Sequence, residues 1–327
     1  MSEDIKVSVV CLTYNHKKYI RQCLDGFVNQ QTNFKYEVII HDDASTDGTQ
    51  DIIREYEEKY PDIIKPVYQT ENQYSKGIKK ITIKYVYPKA TGKYLAFCEG
   101  DDFWTDPLKL QKQFDCLETH PEANMCVHTV QAINEDGSLI YKTYPSSPFE
   151  SKILLSNDFF KIALNEYAFQ TSSYFLRKNE YEKYIVENPE FVQIAPTGDW
   201  PMQLYFGNSG SVAYINQAMS CYRLNASGSF TSTMSNNDFS KQLNYYNGLI
   251  DMIELFNVYS DRKYNTSCFD FINRINGYKY RLFVDSKNYQ NVVNKKYYKY
   301  FKDESFKDKF SIIINAYFPR LAKKLFN

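Results

Sequence analysis

The chain has 327 residues with 39 Lys and Arg balanced by 39 Asp and Glu, so no global field of either sign argues for a nucleic-acid partner. No apolar run reaches the ~18 residues a bilayer-spanning helix needs, and the acidic start Met1-Ser2-Glu3-Asp4 lacks the basic and apolar regions of a secretory signal. Seven scattered cysteines, at 11, 23, 98, 116, 126, 221 and 268, show no metal-ligand spacing and read as reduced, buried thiols, which predicts a cytosolic protein of one large domain or two modest ones.

Val7 to Leu12 is a continuous apolar strand followed by Thr13-Tyr14-Asn15-His16, and Ile20, Cys23, Leu24, Phe27 and Val28 then recur at helical spacing. A second strand, Tyr36 to Ile40, runs into His41-Asp42-Asp43-Ala44-Ser45-Thr46-Asp47-Gly48-Thr49. The helix after it carries Ile52, Ile53, Tyr56 and Tyr60 on one side and stops at Pro61. Ile63 to Tyr68 predicts a third strand, Ile78 to Pro88 a helix, and Lys93 to Phe97 a fourth strand entered through Thr91-Gly92. Strands alternating with helices through residue 97 predict a parallel, doubly wound α/β sheet.

After Trp104, Asp106-Pro107 predicts a helix start, with Leu110, Phe114 and Leu117 as its apolar face. Met125 to Val130 and Leu139 to Tyr144 read as strands joined through the turn Asn134-Glu135-Asp136-Gly137, and 144 to 150 as loop. Ser172 to Leu176 and Ser211 to Ile215 are further strands, with a helix start at Pro196-Thr197-Gly198-Asp199-Trp200-Pro201 between them. From about residue 235 strand signals fade into Tyr- and Lys-rich helical patterns, which sets a boundary between residues 1–234 and 235–327. Residues 288–327 hold nine Lys or Arg against three acids, a net +6, and Phe306, Phe310, Ile313, Ile314, Tyr317, Leu321 and Leu325 share one face of the last helix. Such a stripe docks on its own domain, on a second copy, or on a membrane surface.

Three strand ends carry polar clusters: Thr13-Tyr14-Asn15, Asp42-Asp43, and Glu99-Gly100-Asp101-Asp102. In a parallel sheet these ends open on one edge, where α/β folds bind ligands. Clustered carboxylate oxygens suit a hard cation, Mg²⁺ or Mn²⁺, better than zinc. There is no G-x-G-x-x-G after the first strand and no P-loop, so phosphate recognition falls to a metal with lysines such as Lys76 as helpers. Tyr14 offers a stacking face, and Asp43 can accept the imide N–H of a uracil. Each also has a purely structural explanation: Tyr14 can pack between helices, and Asp42, Asp43 or Asp47 can cap the helix that follows.

Val7 to Asn15, Ile40 to Thr49, and Gly92 to Pro107 with its Glu99-Gly100-Asp101-Asp102-Phe103-Trp104 core strongly resemble glycosyltransferase family 2 over roughly residues 5 to 230. The resemblance implies the GT-A nucleotide-sugar fold, with a mostly parallel sheet flanked by helices and a C-terminal helical extension. It implies an inverting transfer from a nucleotide sugar, UDP-linked, to a glycan or lipid-linked acceptor, as in bacterial enzymes that build capsules, O-antigens and other surface polysaccharides. It also implies roles: Tyr14 stacking on the base, Asp43 binding it, Asp101 contacting the ribose, and Asp102 holding the metal that bridges the diphosphate. Asp199 in Thr197-Gly198-Asp199-Trp200 matches the family's catalytic base, the lesser alternative being a helix N-cap with Pro201 just inside. Cys221-Tyr222-Arg223-Leu224-Asn225-Ala226-Ser227-Gly228-Ser229 resembles the closing motif, with Asn225 where the family often has His, which shifts weight on the phosphate side to Arg223 and the loop hydroxyls.

Two rival readings stand beside this one. A sugar nucleotidyltransferase would carry a glycine-rich basic loop after its first strand, which Leu12-Thr13-Tyr14-Asn15-His16 lacks. A non-catalytic glycan- or protein-binding member of the fold would have no need to keep Asp43, Asp101, Asp102 and Asp199 together.

Overall fold

The computed structural model describes residues 4–165, 168–227 and 239–326, with side chains as far as Lys323 at the carboxyl end. The chain divides into two compact units, one of residues 1–193 and 197–235, the other of 194–196 and 236–327.

The first unit is built on a ten-stranded sheet in the order β3-β2-β1-β4-β9-β6-β10-β5, with β7 added to β6 and β8 to β10. β1 (Ile5–Thr13), β2 (Lys35–Asp42), β3 (Ile64–Tyr68) and β4 (Tyr94–Phe97) run parallel. They are joined through α1 (Ile20–Val28), α2 (Thr49–Lys59) and the segment 69–93. Val7, Val9, Val10 and Cys11 of β1 are all buried, as expected for a strand covered on both faces. The apolar stripe read for α1 is the face that enters the core, with Ile20, Cys23, Leu24 and Phe27 fully enclosed.

Beyond β4 the sheet becomes mixed. β9 (Phe175–Arg177) runs antiparallel to both β4 and β6 (Ala123–Ile133), and β7 (Leu139–Tyr144) folds back on β6 through the turn expected at 134–137, where Gly137 takes φ +88°. β10 (Ser211–Arg223) is far longer than the five residues its sequence suggested and pairs in parallel with β6. One end of β10 meets β8 (Lys152–Leu154) and the other meets β5 (Phe103–Trp104), both antiparallel. The remaining helices of this unit are α3 (Lys109–Thr119), α4 (Ser156–Ala163), α5 (Lys178–Glu187), α6 (Glu190–Ile194) and α7 (Asp199–Ser209).

Two expectations are corrected here. The helix expected over 78–88 is a π-helical turn at Thr82–Val86 followed by a 3₁₀ turn at Tyr87–Lys89; Tyr85 stacks on His41 at 5.3 Å, and Pro88 precludes a regular continuation. The single last helix is two, α10 (Phe306–Tyr317) and α11 (Pro319–Phe326), because the residue before a proline is driven out of the helical region and Phe318 adopts φ −131°, ψ 59°.

The second unit is helical. After α8 (Phe239–Tyr259) and α9 (Asn265–Asp285), short turns lead into α10 and α11. Its core gathers Tyr280, Phe283, Val292, Tyr297 and Ile312. No described helix is long and apolar enough to cross a membrane.

Candidate active site

The register of the parallel strands places the three polar clusters side by side. Thr13 pairs with Asp42 across β1 and β2, the Asp43 amide donates to the Thr13 carbonyl (3.0 Å), and the Gly100 amide donates to the Leu12 carbonyl (2.9 Å). Gly100 is required there: a Cβ would lie 2.7 Å from Thr13 Oγ1 and 3.0 Å from His16 Nδ1. Both of those atoms, together with Asp42 Oδ2, are buried without a hydrogen-bond partner, so the carboxyl edge holds unsatisfied polar atoms side by side.

The loops beyond the strands are tied to each other by bonds from main-chain amides to side-chain oxygens. Asn15, at φ +55°, donates its amide to Ser45 Oγ and accepts from the Thr46 amide, each at 2.8 Å. Asp42 Oδ1 accepts from the Ser45 amide and from Gln50 Nε2. Asp43 turns both carboxylate oxygens toward the next loop, accepting the amides of Gln73 (2.8 Å) and Tyr74 (3.0 Å). It therefore organises residues 72–74 and offers a ligand only its remaining lone pairs. Tyr14 stands at this edge 44 % exposed. Lys76 lies on the same loop, where it pairs with Glu71.

The acidic turn after β4 is crowded. Asp102 is almost sealed, and Oδ1 accepts the Arg223 amide at 2.9 Å. Burial, and then the neighbouring Asp101, push its carboxyl well above the usual range. Glu99 is exposed to solvent at one side, although protein crowds around its carboxyl. That enclosure, followed by the charges of Asp101 and Asp199, raises it to about 8. Asp101 Oδ2 lies 4.0 Å from His16 Nε2.

Asp199 opens α7, where the helix dipole favours an anion, and it is only partly exposed. Burial raises its carboxyl to about 6 against the lowering effect of hydrogen bonds from the Trp200 amide and its own. A residue 100 positions from Glu99 in the chain thus shares its electrostatic surroundings. Tyr222 joins the group, its hydroxyl pushed upward by burial and then by Asp102, Glu99 and Asp101.

Arg223, expected on the phosphate side, does something else. It is 4 % exposed, and its guanidinium donates to the carbonyls of Asp101 (3.0 Å) and Glu135 (2.8 Å) and to Gln22 Oε1 (2.9 Å), stacking over Tyr19 at 4.8 Å. Those bonds use most of its five N–H donors to brace the acidic turn. Asn225 takes φ +56° in the turn that follows, and Gly228 and Ser229 of the closing motif lie outside the described residues. Sequence reasoning missed His16 and Tyr222. Each sits one position from a residue it did single out, and what reveals them is the geometry of the edge.

No group of three His, Cys, Asp or Glu side chains among the described residues forms a metal cage. A Mg²⁺- or Mn²⁺-like ion does not need one, because such ions commonly take one or two carboxylates and complete their shell with substrate phosphates and water. Carboxylates held above their usual range by burial, and then by neighbouring carboxylate charge, fit a cation that would offset both.

Comparison with known proteins identifies the family and the fold. The family model "Glycosyl transferase family 2" matches residues 8–183. An uncharacterized protein of Mycobacterium tuberculosis is 40 % identical over 222 residues, 68 % of this chain and 60 % of that protein, so the chain spans about 60 % of the length of the first curated relatives it matches. The poly(ribitol-phosphate) beta-glucosyltransferase of Bacillus spizizenii is 34 % identical over 100 residues, 30 % of this chain and 15 % of that enzyme. Among solved structures, S. aureus TarS 1–349 in complex with UDP-GlcNAc superposes with a TM-score of 0.59 at 15 % identity, covering 97 % of this chain and 83 % of that one, a likeness of fold.

Proposed function

The chain belongs to glycosyltransferase family 2, and from that premise we propose that it moves one sugar, with inversion, from a nucleotide-sugar donor to the hydroxyl of a glycan or lipid-linked acceptor. The UDP and UDP-GlcNAc held by TarS make uridine the first base to test. The poly(ribitol-phosphate) named for the Bacillus relative suggests surface-polymer assembly as the setting.

In this reading Tyr14 stacks on the base, Asp43 and the 72–74 loop it holds border it, and the unsatisfied Thr13 Oγ1, His16 Nδ1 and Asp42 Oδ2 face the nucleoside. Asp101 meets the ribose. Asp102, with Glu99 beside it, would hold a divalent cation, which when bound neutralises the charge of the departing nucleoside diphosphate. Asp199 takes the proton of the acceptor hydroxyl as the new bond forms from that oxygen to the anomeric carbon. The old bond to the diphosphate breaks in the same step, and its electron pair leaves with the diphosphate. Inversion needs the base on the face opposite the leaving group, which is why it comes from α7 and not from the turn after β4.

What supports the reading is that burial raises the carboxyl opening α7 and that its charge acts on Glu99 in the turn after β4. The test is release of nucleoside diphosphate from a panel of UDP-, GDP- and dTDP-sugars in the presence of Mn²⁺ and mixed glycan acceptors. One donor should turn over, chelation by EDTA should abolish the signal, and Asp102→Asn should lower it by about 10²-fold or more. A folded wild-type chain that binds a donor yet turns over none would favour a binding protein.

A further inference from the structure

α10 and α11 carry an apolar face that the unit's own packing does not use. The side that packs is formed by Ile312, Ala316 and Ala322: Ile312 enters the cluster with Tyr280, Phe283 and Val292, and Gln290 Nε2 donates to the Ala316 carbonyl at 2.6 Å. Phe306, Phe310, Ile313 and Tyr317 follow one another at intervals of four, three and four residues, which at ~100° per residue confines them to an arc of roughly 60°. That arc points to solvent: Phe306 is 86 % exposed, Phe310 48 % and Tyr317 60 %, and Phe318 and Leu321 extend the patch across the proline break. Leu325, expected on the same face, lies beyond the described side chains.

The charge around the stripe says what it meets. Lys307 and Lys309 fall on either side of it along α10, and Arg320 and Lys323 follow in α11. The one acid of α10, Asp308, falls on the opposite side, and its amide and carboxylate are both engaged by the capping Ser305. Aromatic rings ringed by lysines match an interface of acyl chains and anionic headgroups, with the lysine stems lying along the apolar zone and their ammonium groups at the phosphates. A two-fold contact with a second copy would instead bring two basic-rimmed patches together with Asp308, the one acid of α10, on the far side of each helix.

We propose that this face of α10 and α11 docks on an anionic lipid bilayer. The inference stands on this patch alone and is independent of the transferase reading. The test uses the full chain and sedimentation with phosphatidylcholine vesicles with or without phosphatidylglycerol. The wild type should pellet with the anionic vesicles only, and high salt should release it. Phe310→Ser/Tyr317→Ser and Lys307→Glu/Lys309→Glu should each reduce partitioning by about tenfold or more while leaving the melting temperature unchanged, since all four side chains lie on the surface. Wild-type protein that stays in the supernatant with anionic vesicles, or double variants that pellet as the wild type does, would overturn it. So would a dimer that Phe310→Ser/Tyr317→Ser converts to monomer without altering vesicle binding, since the face would then be a seam between copies.

Discussion

At the scale of single residues, the proposal turns on what burial does to Asp199. A carboxyl raised to about 6 is a base only when ionised, so kcat/KM should climb with pH through about 6 and level off above it. A profile that falls as pH rises through this window would contradict the role. The same shift is a strain on the fold. The folded protein binds this proton more tightly than the unfolded chain, so the penalty is absent below the ordinary carboxylate pKa and full above about 6. Allowing for its partial exposure, that amounts to about 1–3 kcal/mol. Asp199→Asn should therefore melt a few degrees higher than the wild type at pH 8 and no higher at pH 4, as followed by circular dichroism. The role proposed for the Asp199 carboxylate came from the family resemblance, while the helix it opens was legible in the sequence because Gly-Asp-Trp-Pro is a local helix-start signal. The part of Arg223 was not: the carbonyls and the glutamine it braces come from residues 22, 101 and 135, and no local pattern announces such a convergence.

At the scale of elements, the site depends on β1 and β2 ending level at Thr13 and Asp42 and on the turn after β4 running alongside them through the hydrogen bond from the Gly100 amide to the Leu12 carbonyl. Gly92 sets β4 in place, since a Cβ there would lie 2.6 Å from the Ser8 amide nitrogen and 2.7 Å from the Val7 carbonyl carbon, and both are backbone atoms that cannot swing away. Its amide also donates to Ser8 Oγ at 2.8 Å, and Ser8 Oγ donates in turn to Glu37 on β2 at 2.7 Å. Gly92→Ala should cost about 1–3 kcal/mol by forcing β1 and β4 apart, read as a lower urea midpoint; an unchanged midpoint would show that the strands need not approach so closely. The strand and helix alternation up to Phe97 was readable because strands buried on both faces are uninterrupted apolar runs. β5 and β8, of two and three residues, exist only through their pairing with β10, so nothing in their own composition marks them. The full length of β10 escaped notice for a related reason: Asn216 and Gln217 interrupt its apolar run where the ladder to β6 shifts register.

At the scale of the whole molecule, balanced charge and three motifs in order pointed to the fold and the family, because the edge of a parallel sheet is a property of chain topology and survives in sequence. The second unit was legible only as helical, since its packing joins Tyr280, Tyr297 and Ile312 without any chemical signature. The claim that unites the scales is that donor binding and proton removal belong to separate carboxylates in one cleft. The most direct measurement is donor affinity by titration calorimetry alongside sugar transfer, both with Mn²⁺, on wild type and Asp199→Asn. Donor should bind both proteins within about twofold, while transfer by the variant falls by about 10²–10⁴-fold. A variant that transfers sugar at the wild-type rate, or one that stays folded yet no longer binds donor, would contradict the division of roles.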